Sequence, residues 1–374
     1  MKLKSAVFVL LVAGLVLAVF EVSKAVVDLR RIEEVLKKNV LTQQDLQIID
    51  EFMNDAVTDL VRTTDFTQVS KTRTIIVSHR SSQAQYAQQF SESAYRHIAQ
   101  GLQAAKTDIL DESRRFKVIA NLLILVDRLK DPRLIDLAVS EIRHPNSAVR
   151  YWAIRAATDA GLWAKLSQDQ NAAAQLAGRI LTECGAVVGG SSPEVLALMT
   201  EFAGRSQAAE AEQLLLRIAD ARIASYADWS VRYELMDGAV LRLLSDKLVA
   251  GGSSNPQVAK RFGQLFSFVM QRYMAGQRDG SIKPVSANYL ISVMMDTEEK
   301  CLGRLLDAPQ ATIRLAVESK DLAALQAEHD RLLGAGDQAG SLSSKFTVNY
   351  GPAGESRPAP LTLPGRPQRT ASNP

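Results

Sequence analysis

The chain reads as an all-α protein, a right-handed α-solenoid of stacked helical hairpins, on three observations. First, three short stretches resemble one another at equal intervals: Val149-Arg150, Val231-Arg232 and Ile313-Arg314 follow one another at 82 residues. A fixed internal period marks a repeat protein, whose hairpins bury their apolar faces only by stacking on neighbours. Half of that interval is about the length of one two-helix repeat, ~40–47 residues. Second, Ala and Leu dominate long runs free of Gly and Pro, and both favour helix. With 47% apolar residues the chain has enough material for a continuous core. Third, strand patterning is nearly missing. The best strand candidate, Thr74-Ile75-Ile76-Val77, stands alone, and one short apolar run cannot make a sheet.

Charge narrows the function classes. The net charge is +3, from 44 basic and 41 acidic residues, with no clustered block. Nucleic-acid binding needs Lys and Arg gathered on one face, so that class is set aside. Cys184 and Cys301 each sit in a helix-like apolar pattern. They read as two buried thiols acting as small hydrophobes.

The amino terminus reads as an export signal. Lys2 and Lys4 precede an uncharged run from Ser5 to Phe20, and Ser23-Lys24-Ala25 supplies small residues for cleavage after Ala25. The run is slightly long for a signal peptide and short for a spanning helix, so two outcomes stand. Cleavage makes the chain periplasmic or secreted; retention leaves it tethered to the membrane through residues 5–20. Either way the remainder lies outside the cytoplasm.

The elements follow in order. Asp28 to Lys38 is charged and helical in pattern, with Leu29, Ile32, Val35 and Leu36 on one side. Thr42-Gln43-Gln44-Asp45 has the form of a capping box, and Leu46, Ile49, Met53, Val57 and Leu60 continue at helical spacing. Thr63 to Ser82 is rich in Ser, Thr and charge and reads as a long loop. Tyr86, Phe90, Ala94, Ile98 and Leu102 predict an amphipathic helix, and Phe116, Ile119, Leu123 and Val126 the next. Asp131-Pro132 breaks that helix and starts another, since Pro suits the first helical position. Val258, Phe262, Leu265, Phe266, Val269 and Tyr273 mark a strong helix after Asn255-Pro256, and Leu290 to Leu305 another. Asp321 to Leu333 reads as a capping helix. From Gly334 the chain is Gly, Ala, Ser and Pro, a composition expected to stay disordered.

His144-Pro145-Asn146-Ser147-Ala148-Val149-Arg150-Tyr151-Trp152-Ala153 resembles the turn and second-helix start of a HEAT repeat, with Ala153, Ala156, Ala157 and Gly161 as the small residues inside the helix. Pro309 to Leu315 is nearly as good. Ser230-Val231-Arg232-Tyr233 is weaker because no Pro precedes it, and Ser192-Pro193-Glu194-Val195 is a fourth copy without the Arg. The resemblance covers about residues 130–325. It implies a HEAT-like, armadillo-type array in which Arg150, Arg232 and Arg314 brace neighbouring repeats rather than line a groove. The family's Asp is replaced by His144, Tyr226 and Ala308, so such a ladder would have to use Asp228 and Asp307.

The search for chemistry returns bland readings. Glu141-Ile142-Arg143-His144 has the spacing of a carboxylate di-iron ligand pair, but no second copy exists. His144 reads instead as a cation at a helix end, and His79 and His97 as surface or satisfied core residues; His329 belongs to no recognised motif. No phosphate-binding loop or nucleophile elbow is present. Ser191 and Ser192 read as a helix cap, and Trp152, Trp163 and Trp229 as packing residues. Arg357, Arg366 and Arg369 lie among prolines in the tail, which reads as solvated, as a polyproline-type ligand or as a contact for an anionic wall polymer. No catalytic, cofactor-binding or metal-binding residue is assigned.

The expected organisation is therefore residues 1–25 as signal or anchor, 26–129 as a less regular helical region, 130–333 as the HEAT-like repeats and 334–374 as a disordered tail. The expected function is a non-catalytic scaffold of the cell envelope that binds another protein on its helical-repeat surface. An envelope enzyme with a site outside the repeats, with 63–82 as the candidate segment, and a self-assembling structural subunit are the alternatives.

Overall fold

The computed structural model describes residues 29–166, 170–251 and 255–366. The apolar run 5–20, the cleavage position after Ala25 and tail residues 367–374 lie outside them. No helix among the described residues is long and apolar enough to cross a membrane. The chain is predominantly helical and divides into two compact units, the first ending at Lys165 and the second beginning at Leu166.

The first unit contains α1 (Leu29–Leu36), α2 (Gln43–Arg62), α3 (Phe66–Ser78), α4 (Ala84–Asp108), α5 (Glu112–Leu129), a 3-10 turn (Pro132–Leu134) running into α6 (Ile135–Val139), α7 (Ser147–Ala157) and α8 (Ala160–Leu166). Helix α2 packs on α4, α3 on α5, and α5 on α7. The expected amphipathic faces are the buried ones: Ile49, Met53 and Leu60 on α2, Tyr86, Phe90, Ala94 and Ile98 on α4, and Ile119, Leu123 and Val126 on α5. A Cβ at Gly101 would come within 3.0 Å of Val57 and 3.3 Å of Leu122, so its bare backbone lets α4 settle close to α2 and α5. Helix α2 starts at the expected capping box: Asp45 N donates to Thr42 Oγ1 (3.3 Å) and Thr42 N to Asp45 Oδ2 (2.9 Å). Lys38 donates to the same carboxylate at 2.6 Å, and these bonds hold Asp45 at about 2, below the ordinary 3.8.

The expected loop at 63–82 is instead largely α3. Asp65 caps it by accepting from Thr67 N (2.8 Å), and Val69 and Ile76 are buried. The sequence hides this helix because its inward face also carries polar groups. Thr72 donates to Asp59 at 2.6 Å and Arg73 to Asn121 at 2.8 Å, so buried polar side chains find partners inside the packing. The strand candidate Thr74–Val77 is the end of this helix.

The second unit contains α9 (Gln170–Val187), a 3-10 turn (Val188–Gly190), α10 (Pro193–Arg205), α11 (Glu210–Ala227), α12 (Met236–Gly251), α13 (Pro256–Arg278) and α14 (Pro284–Thr297). A π-helical turn (Glu298–Leu302) then leads into α15 (Gly303–Leu306), α16 (Thr312–Glu318) and α17 (Leu322–Leu333). Neighbours pack as α10 with α11, α12 with α13 and α13 with α14; alternate helices also pack, α9 on α11 on α13 and α10 on α12 on α14. That pattern is compatible with a helical repeat. Helix α13 is the core of the unit, with Phe262, Leu265, Phe266, Phe268, Val269 and Met270 all buried. Cys184 and Cys301 are buried and free; burial pushes their thiols up to about 12 and about 11.

The tail expected to be disordered is folded over its described part, 334–366. Strands β1 (Gly334–Ala335) and β2 (Gln338–Ala339) form an antiparallel hairpin, followed by α18 (Ser341–Lys345) and a segment without regular structure. Gly334 sits at φ 101, and a Cβ there would strike Gln338 O, so the hairpin requires glycine. Leu342, Phe346, Val348, Tyr350 and Ala359 are buried. Tyr350 rests where Gly263 of α13 leaves room; a Cβ there would overlap its hydroxyl. These apolar residues follow no regular period, so composition alone masked them.

Candidate functional site

The 82-residue period maps onto two helix starts and one loop. Val149 is buried in the first turn of α7 and Ile313 in the first turn of α16, with Val195 of the fourth copy similarly placed in α10. Val231 and Arg232 instead lie in a non-helical stretch, and α12 begins only at Met236. Trp229 and Tyr233 take left-handed backbone there, with φ 56 and 54. Without a preceding Pro, nothing fixes a helix start at Ser230.

The three arginines do different things. Arg150 donates to His144 O (3.1 Å) and Pro145 O (2.9 Å), closing its own turn. Arg314 pairs with Glu299 at 2.8 Å, while its backbone N and that of Ile313 donate to Glu298. Arg232 is exposed, and its carbonyl accepts from Arg222 at 3.0 Å. Asp307 pairs with Lys345.

The strongest buried ion pair was not legible as a motif. Arg222 of α11 grips Asp237 of α12 with two bonds, Nε to Oδ1 at 2.6 Å and Nη2 to Oδ2 at 2.9 Å. The Tyr226 hydroxyl adds a third at 2.8 Å. Burial raises the Asp237 carboxyl, and the guanidinium and phenol act against that rise. Burial and the Asp237 charge also hold the Tyr226 hydroxyl well above its ordinary range, so it remains a donor. The cluster fixes the 228–236 loop and thereby the position of Trp229.

Trp229 stands beside the most organised polar surface of the unit. Its Nε1 donates to Pro364 O at 2.8 Å, and the Arg272 guanidinium lies 4.3 Å from the ring centre, a cation–π contact. Along α13, Gln264 pairs with both main-chain groups of Leu361: Nε2 donates to the carbonyl (3.2 Å), and Oε1 accepts from the N–H (2.8 Å). One further position seven residues on, Gln271 accepts from Leu363 N (2.7 Å) and donates to Leu361 O (3.2 Å). Lys260 donates to Gly351 O at 2.9 Å. Positions 260, 264 and 271 share one helix face, and that face holds a non-helical main chain by its own peptide groups. A cavity of about 480 Å³ adjoins it, lined by Trp229, Gln271, Met274, Asp330, Leu363 and Pro364 among others.

Beneath that face, Ser267 Oγ lies 2.8 Å from His329 Nε2, and His329 Nδ1 lies 2.9 Å from Asp330 Oδ1. The order hydroxyl, imidazole, carboxylate is that of an activated nucleophile. Ser267, however, has 0% exposure and also accepts from Gln271 Nε2 at 2.7 Å. A hydroxyl sealed inside packed helices meets no substrate, so the arrangement satisfies buried polar groups.

The remaining sequence candidates are scattered. Glu141 bonds Lys106 at 2.5 Å, while His144 stacks edge-on against Phe116 and accepts from Asn146 N at 3.0 Å. His97 contacts Asp50 at 2.9 Å, and His79 contacts Phe52 and Ile75 O. Among the described residues no group of three or more His, Cys, Asp or Glu is placed to hold a metal ion. Trp163 donates to Ala157 O and Trp152 packs with Tyr151, as packing residues do. Of the tail arginines, Arg357 O accepts from Tyr350 N, Arg366 lies 6.0 Å from the Trp229 ring, and Arg369 is outside the described residues. No protein-family model matches the chain, and neither a curated protein nor a solved structure matches it.

Proposed function

We propose that the chain is a non-catalytic protein-binding scaffold, a HEAT-like right-handed solenoid that works outside the cytoplasm and offers a helical face to another protein. Packed alternate helices in the second unit support the architectural part. The amino-terminal pattern of Lys2, Lys4, the uncharged run and Ser23-Lys24-Ala25 supports the location. The observation that carries the binding part is the α13 face. Its glutamines hold a non-helical peptide backbone by its own N–H and carbonyl groups, which is the chemistry of recognition rather than of bond breaking.

Photo-crosslinking from positions beside Gln264 and Gln271 in intact cells, followed by purification, tests this. The expected product is a defined adduct with a second protein that disappears in the Gln264→Ala, Gln271→Ala chain while the thermal melt stays the same. An adduct of twice the chain mass would favour self-assembly instead. Failure to trap any protein from any exposed face of the helices would overturn the scaffold reading.

A further inference from the structure

We propose that the α13 face is a receptor for extended, proline-spaced peptide segments, and that residues 359–366 are its resident and displaceable occupant. The proposal rests on the binding reading above and gives it a ligand class.

The ligand class follows from which groups are used. The face takes the N–H of Leu361, the N–H of Leu363, and the carbonyls of Leu361 and Pro364. The side chains of Leu361, Thr362 and Pro364 are exposed, so they contribute little to recognition. Main-chain bonds of this kind tolerate many side chains but not the loss of a donor. Prolines occupy positions 358, 360 and 364 and leave both donor positions free. A proline has no N–H to give, and it fixes φ near the extended range, which lowers the entropy lost on binding. A fitting segment therefore has two non-proline residues two apart, with prolines permitted before the first and after the second. The Trp229 indole, with Arg272 beside it, takes the carbonyl that follows.

Displaceability follows from where the tail is anchored. Phe346, Val348 and Tyr350 are buried, and Tyr350 fits against Gly263. Beyond them Ala359 is the one fully apolar residue that is buried, and Leu361 is 39% exposed. Residues 359–366 thus hang on a handful of neutral hydrogen bonds, each of modest net worth in water. Tethering gives the resident segment a high effective concentration, so an incoming peptide competes against a local ligand and the free face appears only when the tail lifts.

The test uses the full chain and a fluorescein-labelled peptide of residues 357–366. Leu361→Pro with Leu363→Pro removes both tail donors and leaves α13 untouched. A shift in Trp229 emission, read with Trp152 and Trp163 replaced by Phe, reports release, because the indole N–H loses the Pro364 carbonyl. The labelled peptide is expected to bind this variant at least about ten-fold more tightly than the native chain, because the tethered competitor is gone. Adding Gln264→Ala and Gln271→Ala should abolish that binding, and a peptide carrying proline at both donor positions should not bind. Equal peptide affinity for the native and released chains would overturn the proposal, as would release without peptide binding. Those failures leave the scaffold reading standing on another face; loss of every crosslinked partner removes the scaffold reading itself.

Discussion

Both units use long polar side chains to satisfy carbonyl groups, but the carbonyls belong to different owners. In the first unit they belong to helix ends. Arg80 donates to Leu129 O at 2.8 Å, Arg114 to Arg62 O at 2.9 Å and Lys165 to Lys130 O at 2.6 Å, each at or just past the last turn of a helix. Terminal carbonyls have no partner within their own helix, and cations suit that end. In the second unit Arg217 likewise serves a helix-end carbonyl, Gly185 O at 3.1 Å, but Gln264 and Gln271 serve carbonyl and N–H groups of a separate non-helical segment. The same bond therefore serves the fold in one place and holds an occupant in the other. What distinguishes the two is whether the partner backbone is part of a packed helix.

Arg222 gives the harshest test of that distinction, because it lies in the second unit yet fixes structure. Arg222→Ala leaves Asp237 buried without its partner and should cost about 3–5 kcal/mol in urea unfolding. A loss below about 1 kcal/mol would mean that the 228–236 loop does not depend on the pair. Arg80→Ala, in the first unit, removes bonds to Val77 O and Leu129 O and should lower stability by about 1 kcal/mol. Gln264→Ala with Gln271→Ala should lower stability by less than Arg80→Ala does, because the freed main-chain groups of 361 and 363 can turn to water, while exchange at the Leu361 and Leu363 amides rises sharply. Should the glutamine pair cost as much as Arg80, the α13 face would be structural and the contrast between the units would fail.

Much of the helical framework was legible because its signals are local. The Thr42 box and the four-residue spacing of Phe90, Ala94 and Ile98 act within a few residues of chain. Helix α3 was missed because Thr72 and Arg73 occupy inward positions, and their partners Asp59 and Asn121 lie 13 and 48 residues away. The folded tail was missed for a related reason: its partners Gln264 and Gln271 lie about 90 residues upstream and leave no mark on local composition. The equal spacing of the three arginines was a partial guide. It located the buried first turns of α7 and α16 but placed a helix where Trp229 and Tyr233 hold a left-handed bend. The candidate face itself was nearly invisible, since Gln264 and Gln271, among the other polar residues of an amphipathic helix, carry no motif.

One consequence of the Trp229 bend concerns observation. Trp152 and Trp163 belong to the first unit, which leaves Trp229 as the sole indole of the second. Its N–H is tied to the Pro364 carbonyl, and a guanidinium covers its ring. With Trp152→Phe and Trp163→Phe, emission from that one fluorophore becomes an intrinsic meter of whether the α13 face is occupied. The residue that closes the peptide track is thus also the place where light can follow its traffic.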